Sequence, residues 1–162
     1  MYKVAIITAS DKGYAGERED KSGSVIEEIV TAHELEVTGK VILPDVRQIL
    51  SDQMLNYCHQ GIDLILTTGG TGFSKRDVTP EATADIVERR ADNLTFAMIA
   101  NSLQYTPKAM LSRGIAGIRE NTLIVNLPGS PKAVRENLEY AIDAIIHGVK
   151  ILKGDDAECA RK

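Results

Sequence analysis

The chain has 162 residues, 43% of them hydrophobic and 26% charged, which suits a single globular domain with one core and excludes a disordered or repeat composition. A formal net charge of −4 argues against a general nucleic-acid binder, which needs a concentrated Lys/Arg surface. No apolar run reaches the length of a membrane span, Met1-Tyr2-Lys3 leads into a strand pattern without a signal peptide, and Cys58 and Cys159 stand apart with no CxxC or Cys/His spacing. A cytoplasmic protein with two ordinary thiols is expected.

Residues 4–8 form a continuous apolar run, the pattern of a strand buried on both faces of a largely parallel sheet, and lead into Thr8-Ala9-Ser10-Asp11. Residues 12–23 read as a polar loop containing Asp20-Lys21-Ser22-Gly23, whose length suits either a functional segment or a mobile surface loop. Val25, Ile26, Ile29 and Val30 recur at helical spacing, so a helix is expected over 22–33, with His33 near its exposed end. A second strand over 36–43 stops at Pro44-Asp45. Asp45 suits two roles. It can cap the next helix, which carries Ile49, Leu50, Met54, Leu55 and Cys58, or project from the carboxyl end of a strand, where open α/β sheets bind ligands.

Gly61 closes that helix, and a third strand over 64–68 runs into Gly69, Gly70, Thr71 and Gly72. Glycines permit positive φ and remove Cβ, so amide N–H groups can converge on a phosphate; a tight turn without a ligand explains the same residues. Lys75-Arg76 follow, placed to meet a phosphate or the negative charge of a cleft. Thr79 as N-cap, Pro80 at the first helical position and Glu81 in the first turn predict a helix start, which leaves Asp77 without a structural duty. Arg89-Arg90 fall in a predicted helix beside Glu88.

A helix over 94–105 is apolar nearly all round and needs cover on more than one side, from the monomer or from another subunit. Residues 107–113 connect it to strands over 114–118 and 122–127, a hairpin that supplies one antiparallel strand. The sequence NLPGSP (126–131) then opens a long helix, with Ser130 as N-cap and Pro131 first. Val134, Leu138, Ala141, Ile142, Ile145, Ile146 and Val149 share one face of that helix; His147 is read as exposed.

The alternation of strands and helices predicts a three-layer α/β/α domain over residues 1–152, with a mainly parallel sheet and one antiparallel edge hairpin, and a flexible tail over 153–162. The turns at 8–11, 44–45, 67–77 and 126–130 follow strand ends and should converge on one edge. No GxxxxGK[ST], GxGxxG or GxSxG motif occurs, and no histidine lies near a strand end. Backbone donors and carboxylates remain. Carboxylates beside an anion site need a cation between them, so the pattern favours phosphoryl or nucleotidyl transfer with a hard divalent ion.

TTGGTGF (67–73), RDVTPEAT (76–83), the Pro44-Asp45 pair and NLPGSP together resemble the molybdopterin adenylyltransferases of the MogA type, a fold also seen in the G domain of gephyrin and in MoaB-type proteins. The similarity runs from Thr8 to the last helix. It implies a MogA-like fold assembled as a homotrimer. It also implies attack of the molybdopterin phosphate on the α-phosphate of Mg-ATP, releasing pyrophosphate, and a molybdenum insertase as the next partner. By this resemblance Asp45 and Asp77 serve the chemistry or hold Mg²⁺. Thr71, Ser102 and Asn126 line the pterin and nucleotide site, with Gly69, Gly70 and Gly72 as its loop. Thr8, Ser10, Asp11, Asp20, Ser22, Gly23, Pro128, Gly129 and Ser130 border the pocket. Divergent MoaB-type chains share GGTG but tend to lack the Pro-Asp pair and the RDVTPEA form. Both carboxylates are present here, which favours the enzyme over a non-catalytic pterin- or nucleotide-binding scaffold.

Overall fold

The computed structural model describes residues 1–155. In chain order the elements are β1 (Lys3–Ala9), α1 (Asp11–Tyr14), α2 (Lys21–Ala32), β2 (Glu36–Leu43), α3 (Arg47–His59), β3 (Leu64–Thr68) and α4 (Thr79–Ala84). Then come β4 (Arg89–Arg90), α5 (Asp92–Ser102), a 3₁₀ helix (Pro107–Leu111), β5 (Ala116–Arg119), β6 (Thr122–Leu127) and α6 (Pro131–Lys153). The strands form one six-stranded sheet in the order β2-β1-β3-β6-β5-β4. β1 pairs in parallel with β2 and β3, and β3 with β6, so these four strands end on the same edge. β5 is antiparallel to both of its neighbours, as the predicted hairpin requires.

Alternate residues of the central strands feed two cores, because a strand points successive side chains to opposite faces. Val4, Ile6, Leu64, Leu66, Leu123 and Val125 face α2 and α6, where Ile26, Val30, Leu138 and Ile142 complete one core. Ala5, Ile7, Ile65 and Ile124 face α3 and α4, packing with Leu50, Met54 and Ala82. This two-sided burial is why the central strands read as continuous apolar runs.

Several local expectations are corrected. The loop over 12–23 contains α1, capped by Ser10 Oγ accepting from the Gly13 N–H at 2.9 Å, and α2 starts at Lys21 behind Asp20, whose Oδ1 accepts from the Gly23 N–H at 2.8 Å. Asp45 does not cap α3: Val46 occupies that position without a side-chain bond. Thr79 does not cap α4 either, since Val78 precedes the helix and Thr79 turns its hydroxyl to the Gly69 carbonyl, 2.9 Å away. Arg89-Arg90 form the exposed edge strand β4 rather than a helix. The Glu88 and Ala91 N–H groups there donate to the Ile118 and Ala116 carbonyls, each at 2.9 Å, so pairing with β5 overrides helical propensity.

The apolar helix expected over 94–105 ends at Ser102 and buries only Thr95, Met98 and Ser102. Phe96 is 70% exposed, and Leu103 and Tyr105 are exposed as well, so the monomer does not supply the cover that its sequence demands. α6 runs to Lys153, where Gly154 closes it in the left-handed conformation, and Lys153 Nζ meets the buried Asp63 at 2.8 Å. Residues 156–162, which include Cys159 and the end of the expected tail, lie outside the described residues. No helix among the described residues is long and apolar enough to cross a membrane.

Leu138 is fully buried on α6 between that helix and the sheet. Leu138→Ala is expected to cost about 2–5 kcal/mol, read as a lowered urea midpoint at unchanged slope.

Candidate functional site at the carboxyl edge of the parallel strands

The glycine loop leaves β3 with Gly69 at φ 85° and Gly70 at φ 67°, a region that L side chains rarely adopt. Space is equally restrictive. A Cβ on Gly69 would stand 2.3 Å from the Ala9 carbonyl oxygen, and one on Gly70 would stand 2.2 Å from Thr79 Oγ1. Thr79 clamps the turn twice, its N–H donating to the Gly70 carbonyl at 3.1 Å and its hydroxyl to the Gly69 carbonyl. From the other side Thr68 Oγ1 donates to the Pro128 carbonyl at 2.6 Å and Ser22 Oγ to the Gly129 carbonyl at 2.7 Å.

Asp11 and Asp45 hold each other through reciprocal side-chain to backbone bonds. The Asp11 N–H donates to Asp45 Oδ2 at 3.0 Å and the Asp45 N–H to Asp11 Oδ1 at 2.9 Å. Arg76 forks onto Asp11, with Nε 2.9 Å from Oδ2 and Nη2 3.0 Å from Oδ1. The Arg76 hydrogen bonds, followed by the Asp45 N–H, hold the Asp11 carboxyl below its ordinary value. Asp45 is displaced the other way. Burial is the main cause raising its carboxyl, and the charges of Asp11 and Asp77 add to it against the Asp11 N–H and Arg76.

Asp45 Oδ1 is buried and accepts no hydrogen bond. A buried carboxylate oxygen without a partner is of the hard-donor type that a divalent cation takes. Among the described residues no group of three or more His, Cys, Asp or Glu side chains could hold a metal by itself. Mg²⁺, however, needs only one or two carboxylates when substrate phosphates complete its shell, and Asp45 with Asp77 fits that donor set. Asp77 also has a structural duty that was not expected: Oδ2 accepts from the Ser74 N–H at 3.0 Å and closes the loop after Gly72.

Two cavities flank this arrangement. The larger, about 740 Å³, is lined by Thr8, Ser10, Asp20, Ser22, Asp45, Gly69 and Ser130, together with Arg18, Glu19 and Lys21. The smaller, about 430 Å³, is lined by Thr71, Gly72, Ser102, Asn126 and Pro128 beside Thr95, Met98, Ile99 and Leu111. Gly70, Asp77 and Gly129 belong to both walls. Of the site residues expected from sequence, Asp11 and Gly23 line neither cavity. Asp11 supports Asp45, and Gly23 leaves room for Asp20, whose Oδ2 would lie 2.2 Å from a Cβ at that position.

Some expected lining residues act as supports. Asn126 is buried with its amide fully engaged: Nδ2 donates to Thr67 Oγ1 and Thr83 Oγ1, each at 3.0 Å, and Oδ1 accepts from the Ile115 N–H at 3.1 Å. Ser102 Oγ donates to Asn137 Oδ1 at 3.1 Å, and Ser130 caps α6 by accepting from the Ala133 N–H at 3.1 Å. Sequence reasoning missed Asn137, Lys108 and Glu136 on the smaller cavity, and Arg113 behind the loop. Asn137 carried a usable signal, a polar residue beside Leu138 on the most regular apolar helix.

Residues 5–147 match the family described as "Probable molybdopterin binding domain". The chain is 41% identical over 159 residues to gephyrin of Dictyostelium discoideum; the match covers 92% of the chain, which spans 22% of that relative's length. It is 38% identical over 155 residues to the molybdopterin adenylyltransferase of Helicobacter pylori, covering 94% of this chain and 88% of that protein. Among solved structures it matches the molybdopterin biosynthesis enzyme MoaB of Thermus thermophilus with a TM-score of 0.90 at 42% identity, covering 95% and 98% of the two chains.

The raised carboxyl of Asp45 sets a pH dependence. Between its ordinary value and its higher folded value the native state binds more protons than the unfolded state, so stability falls as pH rises through that window and the deficit persists at neutral pH. Asp45→Asn removes the buried charge while its side-chain oxygen still accepts from the Asp11 N–H. The variant should therefore melt higher than wild type at neutral pH, and the difference should close in acid below the ordinary carboxylate value. A variant that melts lower at neutral pH contradicts this assignment.

Proposed function

The chain belongs to the molybdopterin-binding family of molybdenum cofactor biosynthesis proteins, and from that premise we propose that it is a molybdopterin adenylyltransferase, joining the phosphate of molybdopterin to the adenylyl group of ATP. The observation that carries the reading is the junction of two cavities at Gly70, Asp77 and Gly129, with Asp45, whose Oδ1 has no partner, lining the larger one. A reaction that joins two phosphate-bearing substrates needs one compartment for each and a shared point where their phosphates meet.

In the proposed reaction a phosphate oxygen of molybdopterin attacks the α-phosphorus of ATP. The bond from that phosphorus to the bridging oxygen breaks, and pyrophosphate leaves with the electron pair. Such transfer depends mainly on positioning and charge neutralisation. Asp45 and Asp77 would hold Mg²⁺ together with the substrate phosphates, and the ion supplies positive charge against the charge that builds up on the phosphate oxygens. The glycine loop brings bare backbone to the phosphates with no side chain between. Arg76 and Asp11 keep the Asp45 main chain and its Oδ2 fixed, and Oδ1 is left without a partner.

Phe96 on the outer side of α5, Leu103 and Tyr105 just past its end, and Met110 and Leu111 on the 3₁₀ helix form exposed apolar surface that supports assembly as a homotrimer. The adenylylated pterin would pass to a molybdenum insertase. Both belong to the same reading.

Incubation with ATP, Mg²⁺ and molybdopterin should release pyrophosphate in step with adenylylated pterin. Asp45→Asn and Asp77→Asn should each lower kcat about 10²–10³-fold while remaining folded. Pterin and nucleotide binding without pyrophosphate release by the wild type would contradict the reading.

A further inference from the structure

Arg113 lies in the connection between the 3₁₀ helix and β5, where no pattern in the sequence draws attention to it. Its donors converge on one stretch of chain. The main-chain N–H donates to the Thr71 carbonyl at 2.8 Å, Nε to the Gly72 carbonyl at 2.8 Å and Nη2 to the Asp77 carbonyl at 2.9 Å. Nη1 pairs with Glu81 Oε1 in the first turn of α4. One half-buried side chain therefore ties both ends of the loop that carries Asp77 to the helix that follows it.

The loop has little else to hold it. Phe73, Ser74, Lys75 and Arg76 are exposed, and the bonds made between Ser74 and Asp77 are internal to the loop. Its further anchors among the described residues are the fork of Arg76 on Asp11 at the surface and the bonds of Thr79 to the Gly69 and Gly70 carbonyls, none of which reaches the Gly72 or Asp77 carbonyl. On its other side Arg113 is flanked by Ser112 and Gly114, both on the wall of the smaller cavity, so its bonds join that wall to the shared junction.

We propose that Arg113 is the positioning residue of adenylyl transfer, fixing the main chain of Gly72 and Asp77 so that the Asp77 carboxylate stands where the two cavities meet. This rests on the adenylyl-transfer reading above. The planar guanidinium is suited to the task because it points several donors in fixed directions at separate acceptors; a lysine ammonium can serve them only as a single point.

Arg113 alone is an ambiguous target, since its loss strands Glu81, whose Oε2 is already buried without a partner. The test therefore compares wild type, Glu81→Gln, and the double variant Arg113→Met with Glu81→Gln, measuring pyrophosphate release and thermal midpoint. Glu81→Gln keeps the bonds to Gly72 and Asp77 and should retain kcat within about threefold, whereas the double variant should lose about 10²-fold in kcat with both KM values nearly unchanged. Arg113→Lys in the wild-type background should fall between them.

Turnover by the double variant within about threefold of wild type, or a loss carried by KM instead of kcat, overturns the inference. If the double variant does not fold, the lysine variant decides: full activity there overturns the proposal, and a kcat loss at unchanged KM supports it. A wild type without turnover overturns the adenylyl-transfer reading itself, and this inference with it; an active wild type beside an equally active double variant removes only the role of Arg113.

Discussion

Gly69 passes so close to Ala9 that a methyl group there would stand 2.3 Å from the Ala9 carbonyl oxygen, and the layout of the site follows from that contact. The approach lets the chain leave β3 beside the end of β1 without stepping away from the sheet edge. Gly129 comes up on the other side, its missing Cβ 3.5 Å from the Gly69 Cα. Three strand ends are thereby drawn to one point, and the shared wall of the two cavities is mostly backbone. A side chain at Gly69 or Gly70 would run into the Ala9 carbonyl or the Thr79 hydroxyl and force this wall apart. Thr79 completes the clamp from beneath, which is why it was not free to cap its own helix.

The second constraint is electrostatic. Asp11, Asp45 and Asp77 lie near one another, and like charges at close range repel unless something intervenes. Arg76 neutralises Asp11, and the backbone of Asp11 satisfies one oxygen of Asp45. The remaining oxygen of Asp45 is left buried and unbonded, at a cost to the folded protein. Functional sites commonly hold such local penalties, which the surrounding structure sustains. Here the two cores on either side of the sheet provide that surplus.

Much of this was legible in the sequence. β2, β3 and β6 could be bounded because their apolar or β-prone runs stop at Pro44, Gly69 and Pro128. The convergence of turns followed from parallel pairing alone, and the glycine loop announced itself by composition. What failed did so for tertiary reasons. Thr79 and Asp45 look like helix caps locally, but each side chain is taken by a partner ten or more residues away, at Gly69 and Asp11. Arg89-Arg90 look helical until the exposed edge of β5 is there to pair with. Arg113 was illegible because its bonds reach carbonyls 36 and 41 residues distant, and a side chain that grips backbone leaves no periodicity or motif behind.

Adenylyl transfer at this edge requires the phosphates of the two substrates to meet where the cavities join. The most direct measurement is a crystal structure with Mg²⁺ and α,β-methylene-ATP, an analogue that cannot release pyrophosphate. The α-phosphorus should lie against the Gly70 backbone beside Asp77, with the ion on Asp45. A nucleotide whose α-phosphorus lies away from Gly70, Asp77 and Gly129 would contradict it.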